Sequence, residues 1–224
     1  MNSGNAMVSG RALELDDKSV VVFSPHTDDG ELGAGGTIAR FIDEGRNVKY
    51  VAFSGCETSV PQGMAKDTLR KECVRSTVAL GLPPGNVTIL NYEVRKFPEH
   101  RQEILDDLIN LKNKYRPGLV LIPSSHDMHQ DHATIYWEAL RAFKKEVSIW
   151  GYEHPWNNLT FTTHIFVRLS EELVGKKIRA LKEYASQTDK GYMDERNLRA
   201  LLSTHGAQLD LPYAEAFELV RLIY

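Results

Sequence analysis

The sequence predicts an α/β fold, a largely parallel sheet flanked by helices, with an elaboration at its C-terminal end. Three observations carry this. Strand-type and helix-type segments alternate through the first 150 residues, the order of a parallel sheet built from crossover units. One strand-type run, Gly118-Leu119-Val120-Leu121-Ile122, is apolar throughout, as a strand buried on both faces must be. The two richest clusters of histidine and aspartate each follow directly on a strand-type run, where open α/β sheets gather their functional groups.

The elements follow in order. Ser19 to Phe23 is the first strand, five consecutive strand-type positions. The first helix is expected from about Gly35 to Glu44, with Ile38, Phe41 and Ile42 on one face and Gly45 as its stop. Val48, Tyr50 and Ala52 alternate with Lys49 and Val51 in the second strand, which ends at Ser54-Gly55. Leu69, Cys73, Thr77 and Leu80 line a second helix closed by Gly81 and Pro83-Pro84, and Val87 to Leu90 is a short third strand. Ile104, Leu105, Leu108 and Ile109 space a third helix that stops near Tyr115, ahead of Pro117. The fourth strand is Gly118 to Ile122, and a fourth helix over about Asp131 to Phe143 uses Ile135, Ala139 and Phe143. Val147 to Tyr152 and His164 to Leu169 are further strands. Ser170 with Glu171-Glu172 opens a fifth helix that continues through Ile178, Leu181 and Tyr184 towards Gln187. Beyond residue 151 the rhythm loosens.

The chain of 224 residues buries a substantial core without needing a disulfide or a structural metal. It reads as one domain over 1–224, a Rossmann-like core at 19–150 and an elaboration at 151–224 that shapes the substrate pocket. A net charge of -3 excludes nucleic-acid binding driven by phosphate neutralisation. Cys56 and Cys73 have no paired spacing and read as free thiols of a reducing compartment. No stretch approaches the roughly 20 apolar residues of a membrane span. The N-terminal residues have neither the basic start nor the apolar run of a signal peptide, so the expected location is cytoplasmic. A homo-oligomer is left open.

The chemistry concentrates in two places. After the first strand comes Pro25-His26-Thr27-Asp28-Asp29-Gly30-Glu31. Adjacent carboxylates disfavour each other's ionised form unless a cation or hydrogen bonds compensate, and a divalent metal is the simplest compensation. After the fourth strand comes His126-Asp127-Met128-His129-Gln130-Asp131-His132, three of the chain's eight histidines and two aspartates in seven positions. In a sheet of order 3-2-1-4-5 the first and fourth strands are neighbours, so the two stretches face each other across the crevice. His26 with Asp29, and His129 with His132, have the spacing that puts side chains on one helical face. An ion held by His26, Asp29 and one histidine of the second stretch has two histidine ligands and one carboxylate, with a position left for water, the pattern of a catalytic zinc. Asp28 is then placed to take a proton from the attacking water. The spare histidine stabilises an oxyanion or protonates a leaving amine, with Asp131 to orient and charge it.

His26-Thr27-Asp28-Asp29 with Glu31, then Gly33-Ala34-Gly35-Gly36-Thr37, and His129-Gln130-Asp131-His132 together resemble the LmbE/PIG-L zinc-dependent N-deacetylases. The resemblance extends over most of the chain, through Leu80-Gly81, Ser186-Gln187 and Tyr213-Ala214-Glu215-Ala216-Phe217. It implies zinc, or another first-row divalent ion, on His26, Asp29 and His132. It implies a catalytic base at Asp28, and a charged histidine with its aspartate at His129 and Asp131. The implied reaction is removal of an acetyl group from an N-acetylglucosamine unit, here on a larger amino-sugar conjugate. Thr27 stands where proline is usual, and Asp127 where some members place a tyrosine.

Competing readings attach to single residues. The glycines at 33–36 do not make a G-x-G-x-x-G fingerprint, because Ile38 occupies the third glycine position. They read as sites of close backbone packing. Cys73 belongs to the core and Cys56 has no basic neighbour to activate it. His126 and Asp127 read as loop residues capping the following turn, and His154, beside Pro155-Trp156, as a solvated loop histidine more than as a residue lining a substrate pocket. Arg95, Arg101 and Trp156 are candidates to hold the sugar. The alternative functions are a metal-dependent hydrolase of another amide or an ester, and a non-catalytic binder of sugars or nucleotides.

Overall fold

A computed structural model describes residues 19–224. Its parallel strands are β1 (Val20–Ser24), β2 (Val48–Ala52), β3 (Val87–Ile89), β4 (Leu119–Pro123) and β5 (Ser148–Tyr152). Two more, β6 (Ile165–Arg168) and β7 (Ala214–Arg221), complete a seven-stranded sheet in the order β3-β2-β1-β4-β5-β7-β6. The parallel portion has the expected order, with β1 paired to β2 on one side and to β4 on the other.

Every residue of β1 and β4 is buried, and alternation along them feeds two separate cores. Val20, Val22, Leu119 and Leu121 pack with Ile38, Phe41, Cys73 and Ile178. Val21, Phe23, Val120 and Ile122 pack with Ile104, Leu108, Ile135 and Phe143 on the opposite face. The first face is covered by α1 (Asp29–Asp43), α2 (Thr68–Ala79), α5 (Glu171–Lys182) and α6 (Glu195–Ala207). The second is covered by α3 (Arg101–Tyr115) and α4 (Gln130–Phe143).

Four expectations are corrected. α1 begins at Asp29 rather than near Gly35, so the Asp29 carboxylate projects from the first helical turn itself. Glycine is a poor helix former, and tertiary packing is what places it here. A Cβ at Gly33 would lie 2.4 Å from the Tyr152 ring, and one at Gly36 would lie 2.4 Å from Leu169 Cδ1. α5 ends at Lys182, and only a single 3₁₀ turn at Ala185–Gln187 continues it. The loosely patterned C-terminal region forms α6, then β7, which inserts antiparallel between β5 and β6. On α3, Ile109 is exposed and Leu111 takes its place in the core.

That C-terminal region braces the helix that carries Asp29. Lys177 of α5, almost fully buried, donates to the Leu32 carbonyl at 2.7 Å and to Glu215 of β7 at 2.7 Å. Glu215 also accepts the backbone N–H groups of Gly36 at 2.9 Å and Thr37 at 2.6 Å. Both buried charges are therefore paired and hydrogen-bonded, the condition under which such groups are tolerated.

Candidate metal centre and active site

The turns after β1 and β4 meet at the carboxyl edge of the sheet. Ser24 tightens the first, accepting the Gly30 N–H at 2.9 Å and donating to the His26 carbonyl at 2.5 Å. Asp29 Oδ2 accepts the backbone N–H of His26 at 2.7 Å. Three ligating atoms then converge. His26 Nδ1 lies 3.1 Å from Asp29 Oδ2 and 3.3 Å from His132 Nε2, and His132 Nε2 lies 3.2 Å from Asp29 Oδ2. A tetrahedral ion about 2.0–2.1 Å from nitrogen and oxygen ligands keeps those ligands roughly 3.3–3.4 Å apart. The donor set fits a divalent ion in type and in spacing. His129 belongs to a looser group with His26 and His132, its ligating atoms within 4.8 Å.

The far nitrogen of each converging histidine rests on a carboxylate, as ligand histidines generally do. His26 Nε2–H donates to Asp131 Oδ2 at 2.9 Å, and His132 Nδ1–H to Asp127 Oδ2 at 2.7 Å. Asp131 also accepts the backbone N–H groups of Arg95 at 2.6 Å and Phe97 at 3.3 Å. This corrects its expected partner, since the Asp131 carboxylate holds His26 and not His129. His129 Nδ1 accepts the backbone N–H of Asp131 at 3.2 Å, which leaves the ring proton on Nε2. Asp127 does cap the turn, accepting the His129 N–H at 2.9 Å, but it is buried and holds His132 as well.

Charge follows from these contacts. Burial opposes a proton on His26, yet the carboxylates of Asp29 and Asp131 outweigh it and raise the group to about 10. His132 is likewise opposed by burial, but Asp29 and then Asp127 raise it to about 9. Burial disfavours the Asp29 carboxylate, yet His132 and His26 hold it well below the usual carboxylate range. Burial, helped by the charges on His132 and His26, lowers His129 to about 4 and keeps it neutral. Asp28 behaves differently. It precedes α1 without capping it, lines the crevice, and is raised to about 6 by burial and the neighbouring Asp29 charge.

The remaining candidates divide. Arg95 and Trp156 line the crevice with Tyr192 and Gln187. Arg101 does not, because buried Glu138 takes its guanidinium at 2.7 Å. His126 is exposed and paired with Ser125 at 2.8 Å. Cys56 is buried, its thiol pushed up to about 12 by burial and then by the Asp28 charge, which removes it as a nucleophile. His154 is a correction: it is completely buried, stacked on Trp156 with ring centroids 4.9 Å apart, and Trp156 stacks in turn on Tyr192 at 4.6 Å. Its position two residues beyond the end of β5, at the edge that gathers functional groups, was the available signal.

A family profile described as "PIG-L: GlcNAc-PI de-N-acetylase" matches residues 21–143, a span that contains both half-sites. The diacetylchitobiose deacetylase of Thermococcus kodakarensis is 27% identical over 233 residues, covering 93% of this chain and 85% of that protein. Among solved structures, the N,N'-diacetylchitobiose deacetylase of Pyrococcus horikoshii superposes with a TM-score of 0.77 at 23% identity, covering 91% of this chain and 84% of the other. GalB of Pseudomonas putida, a 4-carboxy-2-hydroxymuconate hydratase, superposes with a TM-score of 0.74 at 20% identity, covering 92% and 98%. Such a likeness shows the fold, and the chemistry has to be argued from the site. With both half-sites inside the matched span, the chain belongs to the PIG-L (LmbE-like) family.

Proposed function

We propose that the protein is a metal-dependent hydrolase that removes the N-acetyl group from an N-acetylglucosamine-type unit of a larger conjugate. The observation that carries this reading is the triangle of His26 Nδ1, Asp29 Oδ2 and His132 Nε2, with edges of 3.1, 3.2 and 3.3 Å, beside an uncommitted carboxylate at Asp28. His26, Asp29 and His132 would hold the divalent ion, read as zinc or another first-row ion. When bound, the ion supplies Lewis-acid activation of the amide carbonyl and of water.

The chain's own residues divide the rest. Asp28, with a pKa of about 6, is mostly ionised at neutral pH and accepts the proton of the attacking water. Asp131 and Asp127 fix the ring orientation of His26 and His132. His129 presents a neutral Nε2–H to the crevice, a donor for the developing oxyanion that carries no charge of its own. Arg95 and Trp156 bound the space left for the sugar. That space is about 200 Å³, below the roughly 300–1,000 Å³ of typical small-molecule cavities, which supports one sugar unit inside and its carrier outside. Residues 19–150 act as the core, and 151–224 as the elaboration that shapes this pocket through Trp156 and Tyr192.

Relatives named as deacetylases favour amide hydrolysis over the hydration named for GalB. The test is Asp28→Asn, which keeps the shape of the side chain and removes the base. It is expected to retain metal and lose at least about 10²-fold in turnover on N-acetyl sugar conjugates. Near-normal turnover in that variant would remove Asp28 as the base. Release of no amine from any such conjugate by the metal-loaded wild type would overturn the deacetylase reading itself.

A further inference from the structure

The donor triangle is assembled from two separate turns, so its shape depends on how the end of β1 is held against the end of β4. A third strand contributes to that hold. His154, just beyond β5, has no exposed surface. Its Nε2 lies 3.0 Å from the backbone carbonyl of Asp29, and because a carbonyl only accepts, Nε2 carries the proton and donates. Among the described residues its Nδ1 has no well-aligned hydrogen-bond partner, yet it lies 3.4 Å from Asp127 Oδ2, the oxygen that accepts the His132 Nδ1–H. One buried ring thus touches the supports of two ligands that stand on different turns. The stack on Trp156 fixes the plane of that ring, with an interplanar angle of 19°.

We propose that His154 is a positioning residue that locks the two halves of the metal site together, through its hydrogen bond to the Asp29 carbonyl and its packing contact with Asp127. It touches neither substrate nor the reacting atoms. The inference rests on the metal-site reading above, and its consequence is an effect on metal affinity that does not depend on catalysis. Groups that orient ligands from behind typically change affinity by about 10–100-fold when removed.

The experiment measures zinc affinity by chelator competition on metal-free protein, with folding checked by circular dichroism and melting temperature. His154→Phe preserves the aromatic stack and removes both nitrogens, and it is expected to weaken zinc binding about 10–100-fold. His154→Gln restores a donor near the Nε2 position and is expected to recover most of that loss. A purely structural role would make the two variants follow melting temperature rather than donor placement. If the phenylalanine variant does not fold, His154→Asn replaces it; that side chain is too short to reach the Asp29 carbonyl, and loss of this hydrogen bond is expected to weaken zinc binding at least about 10-fold. His132→Ala serves as the control. Zinc lost from His132→Ala while His154→Phe binds like wild type would overturn the role of His154 alone. A wild-type protein that binds no divalent ion would overturn the site reading, and the inference with it.

Discussion

Loading the metal site should expel protons, and the number follows from the contacts. In the ion-free site His26 and His132 have pKa values of about 10 and 9, so at pH 7.5 both rings are imidazolium. A divalent ion requires both rings neutral. Binding near pH 7.5 therefore releases about two protons, and apparent affinity rises roughly 100-fold for each pH unit, tenfold per proton. The slope should fall to about one proton above pH 9 and vanish above 10, and below pH 6 Asp28 adds a fraction of a third proton. The same groups govern the stability of the ion-free protein. The folded pKa values of both histidines lie above the ordinary 6.5, so their contribution is complete below that pH and is lost as pH rises through 9 and 10. The lowered carboxylates of Asp29 and Asp131 contribute above their ordinary 3.8 and lose that contribution as pH falls. Isothermal titration of zinc in buffers of different ionisation enthalpy gives the proton count directly. Release of fewer than one proton at pH 7.5 would refute the charged His–Asp network.

Two substitutions separate packing from chemistry. Gly33→Ala places a methyl group 2.4 Å from the Tyr152 ring and should destabilise by about 1–3 kcal/mol, read as a melting temperature several degrees lower. An unchanged melting temperature would show that α1 has room there. Arg101→Ala removes one of two arginines on buried Glu138, the other being Arg141. It should cost about 1–2 kcal/mol in denaturant unfolding and leave KM unchanged, whereas a raised KM would return Arg101 to the substrate site.

Much of this site was legible because local spacing and topology point the same way. His26 and Asp29, three residues apart, need only the local turn to meet, and the strand order alone brings His132 opposite them. What escaped depended on contacts far apart in sequence. The start of α1 is not visible locally because the glycines answer to Tyr152 and Leu169, more than a hundred residues away, and not to a turn. β7 escapes a local reading because its alternation breaks at Ala216-Phe217 and its buried run Ala214 to Phe217 includes Glu215. That glutamate is buried because Lys177 and two backbone amides meet it. His154 looked like a loop histidine because no local pattern distinguishes a loop that folds over a site from one in solvent. Spacing alone pairs Asp131 with His129, while the fold turns its carboxylate across the crevice to His26.

His26, Asp29 and His132 are proposed to hold the catalytic ion. Crystals grown with zinc and measured on both sides of the zinc absorption edge test it most directly. A single strong anomalous peak is expected at about 2.0–2.2 Å from His26 Nδ1, Asp29 Oδ2 and His132 Nε2, with His129 outside that distance. A peak bound through His129 in place of Asp29, or no peak between the two turns at saturating zinc, would contradict it.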